Sequence, residues 1–224
     1  MSMYWILFIG IAVASYLVQS NLKRKFEVYS RQPCPYSGKE VAEMMLRAHG
    51  IYDVRVISTS GRLTDHYNPT DKTVNLSEDV YASYSVAAAA VAAHECGHAV
   101  QHACAYGPLK MRSALVPAVS FASSWMQWIL LIGIFTIQTF PQIMLGGIIL
   151  FAMTTLFSFI TLPVEIKASM RATRWLRQAD IVIPSSYPMA VDALRSAAYT
   201  YVVAALSSLA TLVYYVSIFL GRRD

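Results

Sequence analysis

The sequence predicts a mainly α-helical membrane protein, with four transmembrane helices and a small α+β domain containing a short β-hairpin or sheet. The first observation is composition: 56% of the 224 residues are apolar, 14% are charged, and the mean hydropathy is +0.44. The second is a set of four apolar runs, at residues 3–18, 115–138, 143–162 and 197–220. Each run comes close to or exceeds the roughly 20 residues that a helix needs to cross about 30 Å of hydrocarbon.

These runs divide the chain into five parts. We expect a first transmembrane helix at residues 1–20, a small domain at 21–114, and a hairpin of the second and third transmembrane helices at 115–162. A helical region at 163–196 and a fourth transmembrane helix with a tail at 197–224 complete the chain. The hairpin crosses the membrane twice, so the small domain and the helical region should lie on the same side.

The distribution of basic residues predicts which side that is, because Lys and Arg concentrate on the cytoplasmic side of membrane proteins. Residues 21–114 contain eleven of the 18 Lys and Arg, and residues 163–196 contain five. The basic run at residues 23–25 follows the first apolar run, the reverse of the charge order in a cleaved signal peptide. The pattern predicts an uncleaved anchor in the cell inner (cytoplasmic) membrane and a cytoplasmic small domain. Arg222 and Arg223 would fall on the opposite side, so the fourth crossing is the least supported.

Two other uses of the charged and sulfur-containing residues are disfavoured. The net charge of +5 does not indicate a nucleic-acid partner, because the basic residues are scattered or juxtamembrane and lack interleaved aromatic residues; attraction to anionic lipid fits them better. Cys34, Cys96 and Cys104 are odd in number and lie on the predicted cytoplasmic side, so no disulfide framework is expected.

The small domain contains recognisable helix and strand signals. Ser37 and Glu40 have the spacing of a capping box, which predicts an amphipathic helix that ends at Gly50. The alternation of Val54, Val56 and Ser58 with polar neighbours predicts a strand. Turn residues at 68–72 separate two further extended stretches and predict a small hairpin.

The strongest motif lies in an alanine-rich stretch at residues 85–104, which predicts a helix because alanine is the best helix former. It places His94 and His98 four residues apart, on one helix face and about 6 Å from each other, which suits two ligands of one metal ion. In an H-E-x-x-H arrangement the glutamate, here Glu95, binds no metal and takes a proton from the water that the metal activates. A chance match on an ordinary helix is the alternative, but burying Glu95 with two unpaired histidines would be costly.

A catalytic zinc site usually has three protein ligands, so a third must be found. His102 lies eight residues beyond His94, about 12 Å along the helix axis, which is too far for the same metal ion. It is expected to be a packed residue, or one that contacts a metal ligand without binding the metal. Glu165 is the better candidate, because the membrane hairpin returns it to the side that carries His98. Pro163 is expected to start a new helix there. From spacing alone, a solvated carboxylate next to the membrane remains an equal alternative for Glu165.

Several short motifs are spread over nearly the whole chain, and their order and spacing are specific. They are L-T-D-H-Y at 63–67, L-S-E at 76–78, A-A-H-E-C-G-H-A-V-Q at 92–101, L-P-V-E at 162–165 with A-S at 168–169, and A-A-Y-T-Y-V at 197–202. Through these motifs the chain resembles a bacterial family of membrane neutral zinc metallopeptidases. That family is itself similar to the prenyl-protein (CAAX) and heat-shock membrane zinc endoproteases.

The resemblance implies a zincin-like domain in which His94, His98 and Glu165 hold Zn²⁺ and Glu95 is the general base, the gluzincin arrangement. It also implies that residues 63–76 supply an edge strand on which an extended substrate could lie. In the prenyl-protease relatives an aspartate four residues after the third ligand orients a histidine ligand. Here Ser169 occupies that position, and its hydroxyl is a weaker partner for an imidazole N–H than a carboxylate. The contacts around the histidine ligands must therefore differ from those in the relatives, with Ser169 in this place, or an acid such as Asp65 takes the role.

These features predict a zinc metalloprotease that cleaves protein or peptide substrates associated with the lipid bilayer, at the cytoplasmic membrane face. Donors for the developing oxyanion are expected among four residues, His66, Arg171, Tyr199 and Tyr201. Two alternatives remain. An intramembrane-cleaving protease is disfavoured because only about nine apolar residues precede His94. A catalytically silent scaffold stabilised by zinc is disfavoured because a structural site gains nothing from the carboxylate of Glu95.

Overall fold

The computed structural model describes residues 2–221, and the chain in this range forms seven helices and three strands. The helices are α1 (Ser2–Ser30), α2 (Gly38–Ala48), α3 (Glu78–Tyr81), α4 (Val86–Ala103), α5 (Gly107–Thr136), α6 (Pro141–Gln178) and α7 (Tyr187–Gly221). The strands are β1 (Arg55–Thr59), β2 (His66–Asn68) and β3 (Thr73–Ser77). This architecture confirms the predicted fold class.

Four of the helices within residues 2–221, namely α1, α5, α6 and α7, are long and apolar enough to cross a membrane. Neighbouring helices pack in the order α5, α6, α7, α1. The antiparallel α5–α6 hairpin is tight: a Cβ atom added to Gly133 would lie 2.7 Å from the Cα atom of Met144. The fourth predicted crossing corresponds to α7, while Arg222 and Arg223 lie outside the described residues.

The expectation that a new helix begins at Pro163 is wrong, because α6 continues through Pro163 as one helix of 38 residues. Proline removes one backbone N–H and leaves the carbonyl of Phe159 without its usual helical donor. Long membrane helices tolerate this loss where neighbouring helices and side chains surround the break. Glu165 therefore lies within the same continuous helix that supplies the third apolar run.

The small domain combines α2, α3 and α4 with a sheet in the strand order β1-β3-β2. The capping box is present: the backbone N–H of Glu40 donates to the side chain of Ser37, and the backbone N–H of Ser37 donates to the carboxylate of Glu40. β2 and β3 form the predicted antiparallel hairpin, and β1 pairs with β3 in parallel. The alanines of α4 are almost all buried, because α4 packs against α6, α2 and α7 and also contacts the sheet.

Candidate metal centre

Helix α4 presents the two histidines of the motif to one site. The side chain of Ser85 accepts a hydrogen bond from the N–H of Ala88 and caps the start of the helix. The rings of His94 and His98 lie 4.8 Å apart, centroid to centroid. Both imidazoles are largely enclosed, with 13% and 10% of their side chains exposed.

Helix α6 crosses α4 at very short distance and brings Glu165 to the histidines. The contact occurs at Gly97, where an added Cβ atom would lie only 2.7 Å from the carbonyl oxygen of Ala168. Gly97 thus allows the two backbones to approach as no larger residue could. As a result, Oε2 of Glu165 lies 3.3 Å from Nε2 of His94 and 3.5 Å from Nε2 of His98.

These distances suit a tetrahedral zinc site. Ligand atoms about 2.0–2.1 Å from a tetrahedral ion lie roughly 3.3–3.4 Å from one another, close to the two distances measured from Oε2 of Glu165. His94, His98 and Glu165 are the group that the described residues bring together with metal-binding geometry, their ligand atoms all lying within 4.8 Å of one another. Two imidazoles and one carboxylate are a ligand set typical of catalytic zinc, so the residues present fit this ion.

Each histidine is held through its other ring nitrogen. Nδ1 of His94 lies 3.1 Å from Oγ of Ser169, and Nδ1 of His98 lies 3.1 Å from Oε1 of Gln101. Gln101 is completely buried and donates its amide N–H to the carbonyl of Val164 on α6, at 2.8 Å. A proton on each Nδ1 would leave each Nε2 free to bind metal, which is the arrangement that such outer contacts stabilise.

The carboxylate of Glu165 is only 3% exposed and has a third partner. Nη1 of Arg112, near the start of α5, lies 3.0 Å from Oε1 of Glu165. The two oxygens of the carboxylate are therefore divided, since Oε2 faces the imidazoles and Oε1 faces the guanidinium. The antiparallel α5–α6 hairpin sets this pairing, because residues 112 and 165 lie opposite each other along its two helices.

Glu95 is 8% exposed and is fixed by the sheet rather than by the other site residues. Its Oε2 accepts a hydrogen bond of 3.0 Å from the backbone N–H of Tyr67 in the edge strand β2. The carboxylate of Glu95 is also close enough to His98 to favour the charged form of this imidazole. The motif glutamate thus lies between the sheet edge and the metal ligands.

Burial and charge act in opposite directions on His98. Burial alone would lower the pKa of His98, but the hydrogen bond and charge of Glu165 together with the charge of Glu95 raise this pKa above its ordinary value. Cys96 behaves differently: complete burial raises the pKa of its thiol, which donates to the carbonyl of Ala42. Cys96 is therefore a buried core residue bonded to α2, and it is not among the residues whose ligand atoms converge.

The remaining residues singled out in the sequence are distributed around the site. Asp65 accepts hydrogen bonds from the backbone N–H and the hydroxyl of Ser77, so Ser169 and not Asp65 contacts His94. The side chain of Tyr201 approaches Glu165 within hydrogen-bonding reach and is near enough to Glu95 for the charge of Glu95 to act on it.

The other four residues have their own neighbours. Nδ1 of His102 lies 2.9 Å from the hydroxyl oxygen of Tyr67, and Nδ1 of His66 lies 2.7 Å from the carbonyl oxygen of Thr64. The hydroxyl of Tyr199 accepts from Arg195. Arg171 is half-buried on α6, and no ion pair among residues 5–221 joins it to the carboxylates of the site.

The fold and the site together define a class: a multi-pass helical membrane protein with a centre of two histidines and one glutamate beside a small sheet. The chain matches a family described as "Putative neutral zinc metallopeptidase" over residues 4–220, and it belongs to this family. It is also similar to a protein named "Putative membrane protease YugP" from Bacillus subtilis (strain 168), with 41% identity over 97% of this chain and 99% of the relative. No solved structure matches the chain.

Two residues of the site were not predicted from the sequence, namely Arg112 and Gln101. Gln101 follows His98 by three residues on the same helix, and this spacing could have revealed it. Arg112 carried no such signal. It is one of eleven basic residues in its segment, and only the packing of α5 against α6 distinguishes it from the others.

Proposed function

We propose that this protein is a zinc metalloendopeptidase of the gluzincin type, with His94, His98 and Glu165 as ligands and Glu95 as the general base. The observation that carries the proposal is the convergence of Oε2 of Glu165 on both imidazole Nε2 atoms, at 3.3 and 3.5 Å. Membership of a zinc metallopeptidase family supports the choice of metal and reaction. Kinship with the prenyl-protein and heat-shock endoproteases remains a prediction from the shared motifs.

Zinc, when bound, would supply the positive charge that activates a water molecule and polarises the scissile carbonyl. Glu95 would take a proton from the attacking water and pass it to the amine that leaves. The hydrogen bond from the N–H of Tyr67 engages one oxygen of Glu95, which fixes the orientation of the carboxylate. The other oxygen is then available for proton transfer.

A donor is also needed where negative charge develops on the carbonyl oxygen. Tyr201 suits this role best among the four residues considered, because its side chain is next to Glu165 and near enough to Glu95 for the charge of Glu95 to act on it. Tyr199 is already bonded to Arg195 and His66 to the backbone of Thr64. We propose that the hydroxyl of Tyr201 donates to the oxyanion.

The lengths of two helices support action at the membrane surface. Glu165 lies 24 residues beyond the start of α6 at Pro141, and Arg112 lies 24 residues before the end of α5 at Thr136. At 1.5 Å per residue each distance is about 36 Å, compared with about 30 Å for the hydrocarbon layer. If the α5–α6 turn marks one edge of this layer, the carboxylate lies about 6 Å outside the other edge, at the depth of the lipid headgroups.

We further propose that this surface is the cytoplasmic face of the inner membrane. Sixteen of the 18 Lys and Arg lie in residues 21–114 and 163–196, which adjoin the ends of the helices at the small domain. The substrates would be proteins or peptides associated with the bilayer. An extended segment of such a substrate could pair with β2, the edge strand next to Glu95.

Two other functions are less well supported. For an intramembrane-cleaving protease, the metal centre should lie inside the hydrocarbon layer, whereas the helix lengths favour the headgroup depth. In a catalytically silent scaffold stabilised by zinc, a neutral Gln could accept the bond from Tyr67 equally well, so the negative charge of the buried Glu95 would serve no purpose.

Cleavage of an unfolded test protein by the purified full chain in detergent, with added Zn²⁺, tests the proposal. The wild type should cleave, and the Glu95→Gln variant should retain zinc but cleave far more slowly. Equal cleavage by both proteins would refute the enzyme proposal.

A further inference from the structure

The ion pair between Arg112 and Glu165 is the feature of the site that the proposed reaction does not use. Nη1 of Arg112 lies 3.0 Å from Oε1, the carboxylate oxygen that faces away from the imidazoles. The Arg112 side chain is 31% exposed, whereas that of Glu165 is 3% exposed. Among the described residues, Arg112 is the one permanent cation within ion-pair distance of this carboxylate, since the other two ion-pair partners are the imidazoles of His94 and His98.

Arg112 stabilises a carboxylate that would otherwise be costly to bury. An isolated ionised group in the protein interior requires a partner of opposite charge or several hydrogen bonds. The imidazoles cannot supply that charge while they are neutral metal ligands. The guanidinium remains charged at any ordinary pH, so it can stabilise Glu165 both with and without metal.

Its position also determines how Glu165 can bind an ion. A carboxylate can coordinate through one oxygen or through both, and coordination through both would occupy the place that a catalytic site keeps for water. A hydrogen bond from a guanidinium to Oε1 holds that oxygen away from the metal. Ligand carboxylates are commonly oriented in this way by groups outside the coordination sphere.

We propose that Arg112 is a positioning residue that makes Glu165 a one-oxygen ligand and so keeps a coordination position open. The inference rests on the metal site in the proposed function. The inference also gives the α5–α6 hairpin a role in the metal site, namely the alignment of Arg112 with Glu165. The close contacts of Gly133 with Met144 and of Gly147 with Leu130 fix the register of α5 and α6, and this register aligns Arg112 with Glu165.

Cobalt substitution can test this inference without an activity assay. The full chain is purified in detergent, freed of metal with a chelator and loaded with Co²⁺, whose visible absorption is several-fold stronger in four-coordinate than in five-coordinate sites. The wild type should show the strong four-coordinate band. Arg112→Gln should release Oε1, allow it to coordinate, and reduce the band intensity several-fold.

Two further variants make the result specific. Lys110→Gln removes the same charge from the same helix at an exposed residue and should leave the band unchanged. Arg112→Lys keeps the charge but lacks the planar fork of arginine, so it should lose only part of the intensity. Circular dichroism establishes that each variant is folded, and if Arg112→Gln does not fold, Arg112→Lys provides the deciding comparison.

The outcomes separate this inference from the proposed function. A wild-type protein that binds no Co²⁺ would contradict the metal site itself, and with it both proposals. If the wild type shows the four-coordinate band and Arg112→Gln shows the same band, only the role of Arg112 is contradicted. If Arg112→Gln does not fold, an unchanged band in Arg112→Lys has the same meaning.

Discussion

The backbone N–H of Tyr67 donates a 3.0 Å hydrogen bond to Oε2 of Glu95, which joins the edge strand of the sheet to the motif helix. A Gln at position 95 keeps a carbonyl oxygen that can accept this bond but cannot accept a catalytic proton. We predict that Glu95→Gln keeps the fold and the metal but reduces the cleavage rate by about 10²–10⁴-fold, as expected for loss of a general base. Zinc analysis and a cleavage assay on the same preparations would measure both effects.

Glu95→Ala is the matched comparison. It loses the bond to Tyr67 as well as the base, and it should be less stable than Glu95→Gln by about 1 kcal/mol. A cleavage rate for Glu95→Gln close to that of wild type would show that Glu95 is not the base.

Ser169 should influence metal affinity, because its hydroxyl lies 3.1 Å from Nδ1 of His94. We predict that Ser169→Ala weakens zinc binding about 10-fold, at the low end of the range for residues that orient a metal ligand. Competition with a zinc-binding dye would measure the affinity.

Asp65→Asn provides the contrast to Ser169→Ala, since Asp65 binds Ser77 and not a histidine. It should lower thermal stability, by about 1 kcal/mol in the free energy of unfolding, and leave zinc affinity unchanged. Weaker zinc binding by Asp65→Asn than by Ser169→Ala would reverse the assignment of these two residues.

The crossing of α4 and α6 depends on Gly97. In Gly97→Ala the new Cβ atom would meet the backbone carbonyl oxygen of Ala168 at 2.7 Å, and backbone cannot move aside as a flexible side chain can. We predict a loss of about 1–3 kcal/mol in stability, and weaker zinc binding because the histidines and Glu165 lie on the two helices that are forced apart. Thermal unfolding and zinc competition would measure the two effects.

Gly146→Ala, on α6 with no atom within 4 Å of the added Cβ, is the matched control and should be at least as stable as wild type. Zinc affinity in Gly97→Ala equal to that of this control would mean that the close crossing does not position the ligands.

The elements that depend on local signals were predictable from the sequence. Residue type and spacing over a few positions predict the capping box at Ser37 and the hairpin of β2 and β3. The same kind of signal predicts that His94 and His98 lie together on one helix. The four apolar runs likewise predicted the four long helices, although the helices extend well beyond the runs into polar sequence.

Features that depend on packing were not predictable in the same way. Pro163 has the character of a helix start, but the surrounding helices hold α6 continuous through it. Arg112 is 53 residues from Glu165 along the chain, and only the register of a transmembrane hairpin brings the two together. Spacing alone could not decide whether Glu165 is a ligand candidate or a solvated carboxylate, whereas its burial between two imidazoles and a guanidinium favours the ligand.

The affinity of the protein for zinc with and without Glu165 tests the central claim most directly. Loss of a group that only orients a ligand weakens metal binding by up to about 100-fold. Glu165→Ala removes a ligand itself, so its affinity for zinc should fall by well over this factor. Glu78→Ala, which removes an exposed glutamate of the same small domain, should bind zinc like the wild type. Zinc affinity in Glu165→Ala equal to that of the wild type would contradict a centre formed by His94, His98 and Glu165.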